Sequence, residues 1–110
     1  MSSTDLRTKR CAPCTGDVPR LGAAAVEALR TQVPEWSVEG ARLRRRFRFP
    51  GFVAAVRFVD RMADLAEAEG HHPDFAVHYA EVEVTVWTHA VDGLTENDFI
   101  LAAKIDALAR

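Results

Sequence analysis

The chain has 110 residues, of which 48% are hydrophobic and 27% charged, with a formal net charge of −2. That length supports one domain whose core needs no metal or disulfide staple, and the near-neutral charge argues against nucleic-acid binding driven by the whole molecule. The polar start MSSTDLRTKRCAPC has no apolar run fit for a signal or membrane span, and two cysteines make no disulfide framework, so a cytoplasmic protein with no membrane partner is expected.

Residues 1–20, rich in Pro, Cys, Thr and charge, read as a loosely ordered arm, and residues 21–110 as a single domain. Ala23–Val33 is alanine-rich, with Val26, Leu29 and Val33 on one helical stripe that Pro34 ends. Trp36–Glu39 reads as a short strand, and Glu39-Gly40 as a tight turn into Arg42–Phe49. That next run, RLRRRFRF, alternates: Leu43, Phe47 and Phe49 share one face and Arg42, Arg44, Arg46 and Arg48 the other. Arg45 breaks the apolar face without explanation. Pro50-Gly51 punctuates, and a long helix is expected from Phe52 to Glu69. Its stripe is Phe52, Val56, Val59, Ala63 and Ala66, with Ala55 and Met62 beside it. Gly70 is a natural C-terminal stop, and Pro73 could not continue the helix.

Phe75–Tyr79 and Glu81–Thr88 read as strands. In the second, Val82, Val84 and Val86 face the core, while Glu81, Glu83, Thr85 and Trp87 face away. Thr95 opens a last helix with Leu101, Ala102, Ile105 and Leu108 as its buried stripe. The expected fold is α+β: helix-strand-strand-helix-strand-strand-helix, a four-stranded antiparallel sheet with three helices packed on one face. The other face is left for solvent or a partner subunit.

The histidines carry the chemistry. His71 and His72 lie just past the end of the long helix, and His89 just past a strand; functional side chains collect at such ends. An unperturbed imidazole titrates at about 6.5, so it can give or take protons near neutrality. A solvated His-His turn is an equal alternative on spacing alone, and His78, within a strand, reads as structural. As third residue after an N-cap Thr95, Asp98 suits a capping box. It also shares the inward stripe of its helix, where a carboxylate could fix a histidine's tautomer.

Cys11-Ala-Pro-Cys14 has the spacing of half a zinc site, but no second pair or H-x-x-x-H completes it, so no metal is expected. A thioredoxin-like role fits poorly, because the pair sits in an arm and not at a βαβ helix start. The arginine run invites a nucleic-acid reading. Strand alternation accounts for it, and a subunit interface is the better alternative.

The series Glu67, His71-His72-Pro73, Tyr79, His89 and Asp98, with EAEGHHPDF and VTVWTHAVDGLTENDFILAAKID around it, resembles the pterin-4a-carbinolamine dehydratases. VPEW and FRFPGF extend the resemblance over about Cys11 to Leu108. It implies the same α+β fold and the dehydration of a 4a-hydroxytetrahydropterin without metal or organic cofactor. It also implies His71, His72, His89 and Asp98 as catalytic residues, with Gly70, Pro73, Trp87, Thr88 and Ala90 beside them against the pterin. A homodimer or homotetramer is the family habit. Three positions depart from the pattern: Ala90 replaces a frequent acid, Phe75 a tryptophan, and Gly22 an N-capping Ser or Thr. Relatives of this kind also serve as a dimerisation cofactor for a transcription factor or in Rubisco assembly. Pterin chemistry in molybdopterin metabolism is a further alternative, because the motif names the reaction and not the pathway.

Overall fold

Alternation and punctuation in the sequence set the order of elements. α1 (Ala23–Arg30), β1 (Ser37–Glu39), β2 (Arg42–Arg48), α2 (Phe52–Glu69), β3 (Asp74–His78), β4 (Glu81–Val86) and α3 (Glu96–Leu108) follow one another in the computed structural model. Short 3-10 turns add Leu6–Thr8 and His89–Val91. The structure describes residues 5–12 and 19–109. The fold is the expected α+β arrangement, with every strand pair antiparallel in the order β1-β2-β4-β3. Gly40-Ala41 and Tyr79-Ala80 turn the two outer hairpins, and β2 pairs with β4 at the centre after the chain has crossed through α2. Among the described residues no helix is long and apolar enough to cross a membrane.

The period-two pattern of the strands divides the sheet. Leu43, Phe47, Val82, Val84 and Val86 are buried on the helix side. On the outer side Arg44, Arg46 and Arg48 ion-pair with Glu39, Glu81 and Glu83. Hydrogen bonds from Arg44 and Arg46 hold the Glu83 carboxyl below the usual carboxylate range. These three arginines therefore spend their charge within the sheet. Such exposed pairs each add little stability.

Arg45 has a specific task. Its guanidinium donates to Asp106 Oδ1 at 2.7 Å and lies 4.2 Å from the centre of the Phe47 ring. Trp36, beyond the start of β1 and fully buried, donates its indole N–H to the same oxygen at 2.8 Å. Together they tie the sheet to the last turn of α3. The aromatic contacts continue inward from Trp36 to Phe47, then to Phe58, which also meets Phe49.

Packing overrides local pattern in three helices. α2 buries Ala55, Phe58, Met62 and Ala66, whereas Phe52 and Ala63 of the expected stripe are exposed. The ring of Phe58 lies 4.9 Å from both Phe47 and Phe49, and seating this ring against them turns that face of the helix inward. α1 stops at Arg30 rather than Val33, and Pro34 disfavours the helical conformation at Val33. The chain goes on in single turns from Gln32 to Leu29 and from Val33 to Arg30. Gly22, at the N-cap position, supplies no side-chain hydrogen bond. α3 is buried nearly all round, from Asn97 to Ile105, well beyond one stripe.

Part of α3's cover comes from the segment expected as a loose arm. Leu6 is 1% exposed within the core cluster. Ala12 and Asn97 exchange two hydrogen bonds, and the Cys11 amide donates to Glu69 Oε1 at 2.8 Å. A short polar segment has no periodicity from which such docking can be read. Glu69 also receives Lys104 Nζ at 2.7 Å, so one carboxylate joins α2, α3 and the N-terminal segment. Burial pushes the Glu69 carboxyl up, but Lys104, the Cys11 amide and Arg10 outweigh it and leave it below its ordinary value.

A depressed folded-state value means that the ionised carboxylate stabilises the fold. That contribution is complete above the unfolded value, about 4.3, and is lost as pH falls through the lower folded one. Glu69→Gln is expected to cost about 1.5–3 kcal/mol at pH 7 in urea unfolding. The gap to wild type should close on acidification; parallel stability curves from pH 7 to pH 3 would show that the charge does not matter.

Candidate active site

Two chain segments build one cleft. The first leaves α2 through Gly70, whose φ of +66° is left-handed, and the amides of Gly70 and His71 both return to Ala66 O. An L-residue in that conformation costs about 1–2 kcal/mol, so glycine suits the stop. Pro73 then bars further helix, and β3 begins at Asp74. The two histidines leave this corner differently: the His71 side chain is 5% exposed and that of His72 60%.

The second segment leaves β4 after Val86. Thr88 and Gly93 exchange backbone hydrogen bonds of 2.9 and 3.3 Å, closing a small loop that carries His89 and Ala90. A Cβ on Gly93 would meet Arg20 Nε at 2.6 Å, so a larger residue at the loop's exit would have to displace the Arg20 side chain. The cleft between the segments has a volume of about 330 Å³. Gly70, His71, His72 and Pro73 line it from the first segment, and Trp87, His89 and Ala90 from the second. Asp74 joins them, a residue that the motif reading passes over. Its place directly after Pro73, at the start of a strand, is the signal that could have marked it.

Behind the cleft stands Asp98, fully buried. His71 Nε2 donates to its Oδ1 at 2.6 Å. Its Oδ2 accepts the Thr95 amide and the Thr88 hydroxyl, each at 2.9 Å. The capping and the histidine-orienting readings of Asp98 are therefore both realised, one on each oxygen. An ionised carboxylate only accepts, which places the His71 proton on Nε2 and, in the neutral ring, the lone pair on Nδ1. Asp98 itself does not reach the cleft. Neither does Thr88: expected against the ligand, it is buried and bonded to Asp98 and Thr95.

The other histidines are held by different means. His72 Nε2 meets Glu67 Oε2 at 2.6 Å, an exposed pair that reaches back along α2. His89 lies flat on Trp87, with ring centres 4.1 Å apart and planes 9° from parallel. His78, at the end of β3, does not line the cleft. The Cys11 thiol donates to Asn97 O, whereas Cys14 lies outside the described residues. Among the described residues no three His, Cys, Asp or Glu side chains are grouped to hold a metal ion.

A cleft with three imidazoles, one anchored on a buried carboxylate, can move protons to and from a small ligand. The model of the pterin 4 alpha carbinolamine dehydratase family matches residues 19–108. The chain belongs to this family. Two bacterial relatives, both named putative pterin-4-alpha-carbinolamine dehydratase, align over almost their whole length. The protein of Rubrobacter xylanophilus is 47% identical, covering 96% of this chain and 99% of its own. That of Halorhodospira halophila is 48% identical, covering 98% of each. A Brucella melitensis crystal structure described as a transcriptional coactivator/pterin dehydratase superposes with a TM-score of 0.80 at 33% identity, covering 84% of this chain and all of that one. A pterin dehydratase-like RuBisCO assembly factor of the α-carboxysome gives 0.56 at 31%, covering 67% and 86%. The solved structures that this chain resembles are thus described by different roles.

Asp98→Asn turns one acceptor oxygen into an N–H donor that faces donors. It should lower stability by about 1–3 kcal/mol and remove the slowly exchanging His71 Nε2–H from the proton spectrum. Thr88→Val should cost less, about 1 kcal/mol, and spare that resonance. Retention of wild-type stability by Asp98→Asn would show that the carboxylate is not the acceptor for these three groups.

Proposed function

We propose that this protein eliminates water from a 4a-hydroxytetrahydropterin, giving the quinonoid dihydropterin. The observation that carries this reading is the convergence of His71, His72 and His89 on one cleft, with His71 bonded to the buried Asp98. Family membership supplies the substrate class. The cleft volume also falls at the lower end of the range that small-molecule sites occupy.

The chemistry asks for two proton transfers. The C4a hydroxyl is a poor leaving group until an acid protonates it. The N5 lone pair then forms the C4a=N5 bond, the C4a–O bond breaks and water leaves, while a base takes the N5 proton. One proton is given and one is taken, so neither a metal nor an organic cofactor is needed for balance. His71 and His89 are the main pair, one giving the proton and the other taking it. His72 orients the ring or acts as an alternate acid. Asp98 touches no substrate atom and works by holding the His71 tautomer. Trp87, Gly70, Pro73 and Ala90 shape the cleft; Ala90 leaves no carboxylate beside His89.

A purely scaffolding role would not require this set of histidines around a buried carboxylate. Self-association is a separate matter, and we include a homodimer or homotetramer in the proposal. The edge strand β3 exposes Phe75 and Val77, the turn after it exposes Tyr79, and the start of α2 exposes Phe52 and Val53.

With 4a-hydroxytetrahydropterin generated in situ, the wild type should speed its loss, and His71→Ala and His89→Ala should each forfeit roughly 10²–10⁴ of that acceleration. No acceleration by the wild type rules out the dehydratase reading. Light scattering at micromolar concentration should give the mass of two or four chains; a monomer mass would remove the oligomer from the proposal.

A further inference from the structure

The outward arginines of β2 do not all end alike. In the β2–β4 register Arg48 stands opposite Glu81, Arg46 opposite Glu83 and Arg44 opposite Thr85. Each of these three reaches a glutamate: Arg48 and Arg46 pair with Glu81, and Arg46 and Arg44 with Glu83. Arg42 is the last rung. Leu43 pairs with Val86, so Arg42 comes up beside Trp87, with its guanidinium carbon 4.2 Å from the centre of an indole ring. Among the described residues no carboxylate pairs with Arg42; Glu39, its partner in the β1–β2 register, is taken by Arg44.

The row of charge thus runs into the cleft. Trp87 lines the cleft and lies parallel to His89. His89 is exposed, and among the described residues nothing hydrogen-bonds its ring. His71 has a buried carboxylate to fix its plane, whereas His89 has the face of an indole. The indole is itself only half-buried, so its rotamer needs a restraint. A guanidinium over the ring provides one, and its planar fork suits stacking better than an ammonium does.

We infer that Arg42 is a positioning residue of the site: by holding Trp87 it fixes the ring plane of His89 above the cleft. The inference rests on the dehydratase reading insofar as His89 moves a proton in the reaction. Arg42 touches no substrate and acts through two stacked rings. Cation–π contacts at exposed sites shift populations about 2- to 5-fold, and a catalytic group held in fewer orientations gains in the same proportion.

The experiment compares Arg42→Ala and Arg42→Lys with wild type by two readouts. The first is the NMR shift of the His89 ring C–H protons, which a parallel indole moves upfield. The second is kcat and KM for in situ generated 4a-hydroxytetrahydropterin. Arg42→Ala should move the His89 protons toward the free-imidazole position and lower kcat about 2- to 5-fold with a smaller change in KM. Arg42→Lys should restore part of both, since an ammonium keeps the charge and loses the planar stack. Should Arg42→Ala not fold, Arg42→Gln takes its place, since it keeps part of the arm and a polar end while removing the guanidinium. Unchanged His89 shifts and kcat in the folded variant would overturn the inference. A wild type that shows the upfield shift but no dehydration would instead sink the reaction, while the shift still reports whether Arg42 holds the stack.

Discussion

The site depends on one buried carboxylate. Taking Asp98 out of water costs several kcal/mol unless strong hydrogen bonds replace its hydration. Three do so: the Thr95 amide, the Thr88 hydroxyl and the His71 ring. They come from the start of α3, the exit of β4 and the exit of α2. Each chain segment must arrive correctly before the charge is satisfied, so the carboxylate registers three elements against one another. The cleft lies on the far side of His71. Its shape is a by-product of that registration.

The same helix carries a second buried carboxylate at its other end, under the opposite electrostatic condition. Asp98 is the third residue of α3, where the helix dipole favours negative charge. Asp106 lies in the last turn, where the dipole disfavours it. Arg45 and Trp36 supply the compensation, with a guanidinium and an indole N–H on one oxygen. This explains why an arginine interrupts the apolar face of β2. A hydrophobic residue there would pack well and leave Asp106 without its cation. Glu69 repeats the device at the close of α2, one residue before the corner that carries His71 and His72. Polar ties, rather than apolar packing alone, set where the cleft residues stand.

The parts of this structure that can be read from sequence are those with a short period. Alternation in RLRRRFRF and EVEVTV carries β2 and β4 and their buried faces, and Pro50-Gly51 and Gly70 bound α2 at Phe52–Glu69. Histidines at element ends mark the segments that meet at the cleft. What cannot be read depends on partners distant in the chain. The face of α2 is chosen by Phe58 against Phe47 and Phe49, and the docking of residues 5–12 by side chains of α2 and α3. Thr88 belongs to the same class. Next to His89 in sequence, it turns away from the cleft because its hydroxyl is held by Asp98 and Thr95.

The loop from His89 to Asp92 is closed at its base by two hydrogen bonds between Thr88 and Gly93, and none of its four residues is buried. Such a closed excursion is insulated from the frame beneath it. Residues could be inserted between Ala90 and Asp92 without pulling on β4 or α3, since lengthening a surface loop costs little chain entropy. The opposite wall has no such freedom, because Gly70, His71 and Pro73 are locked between a helix end and a strand start. Divergence in ligand size within this architecture would therefore accumulate on one lip of the cleft, while the other keeps its shape.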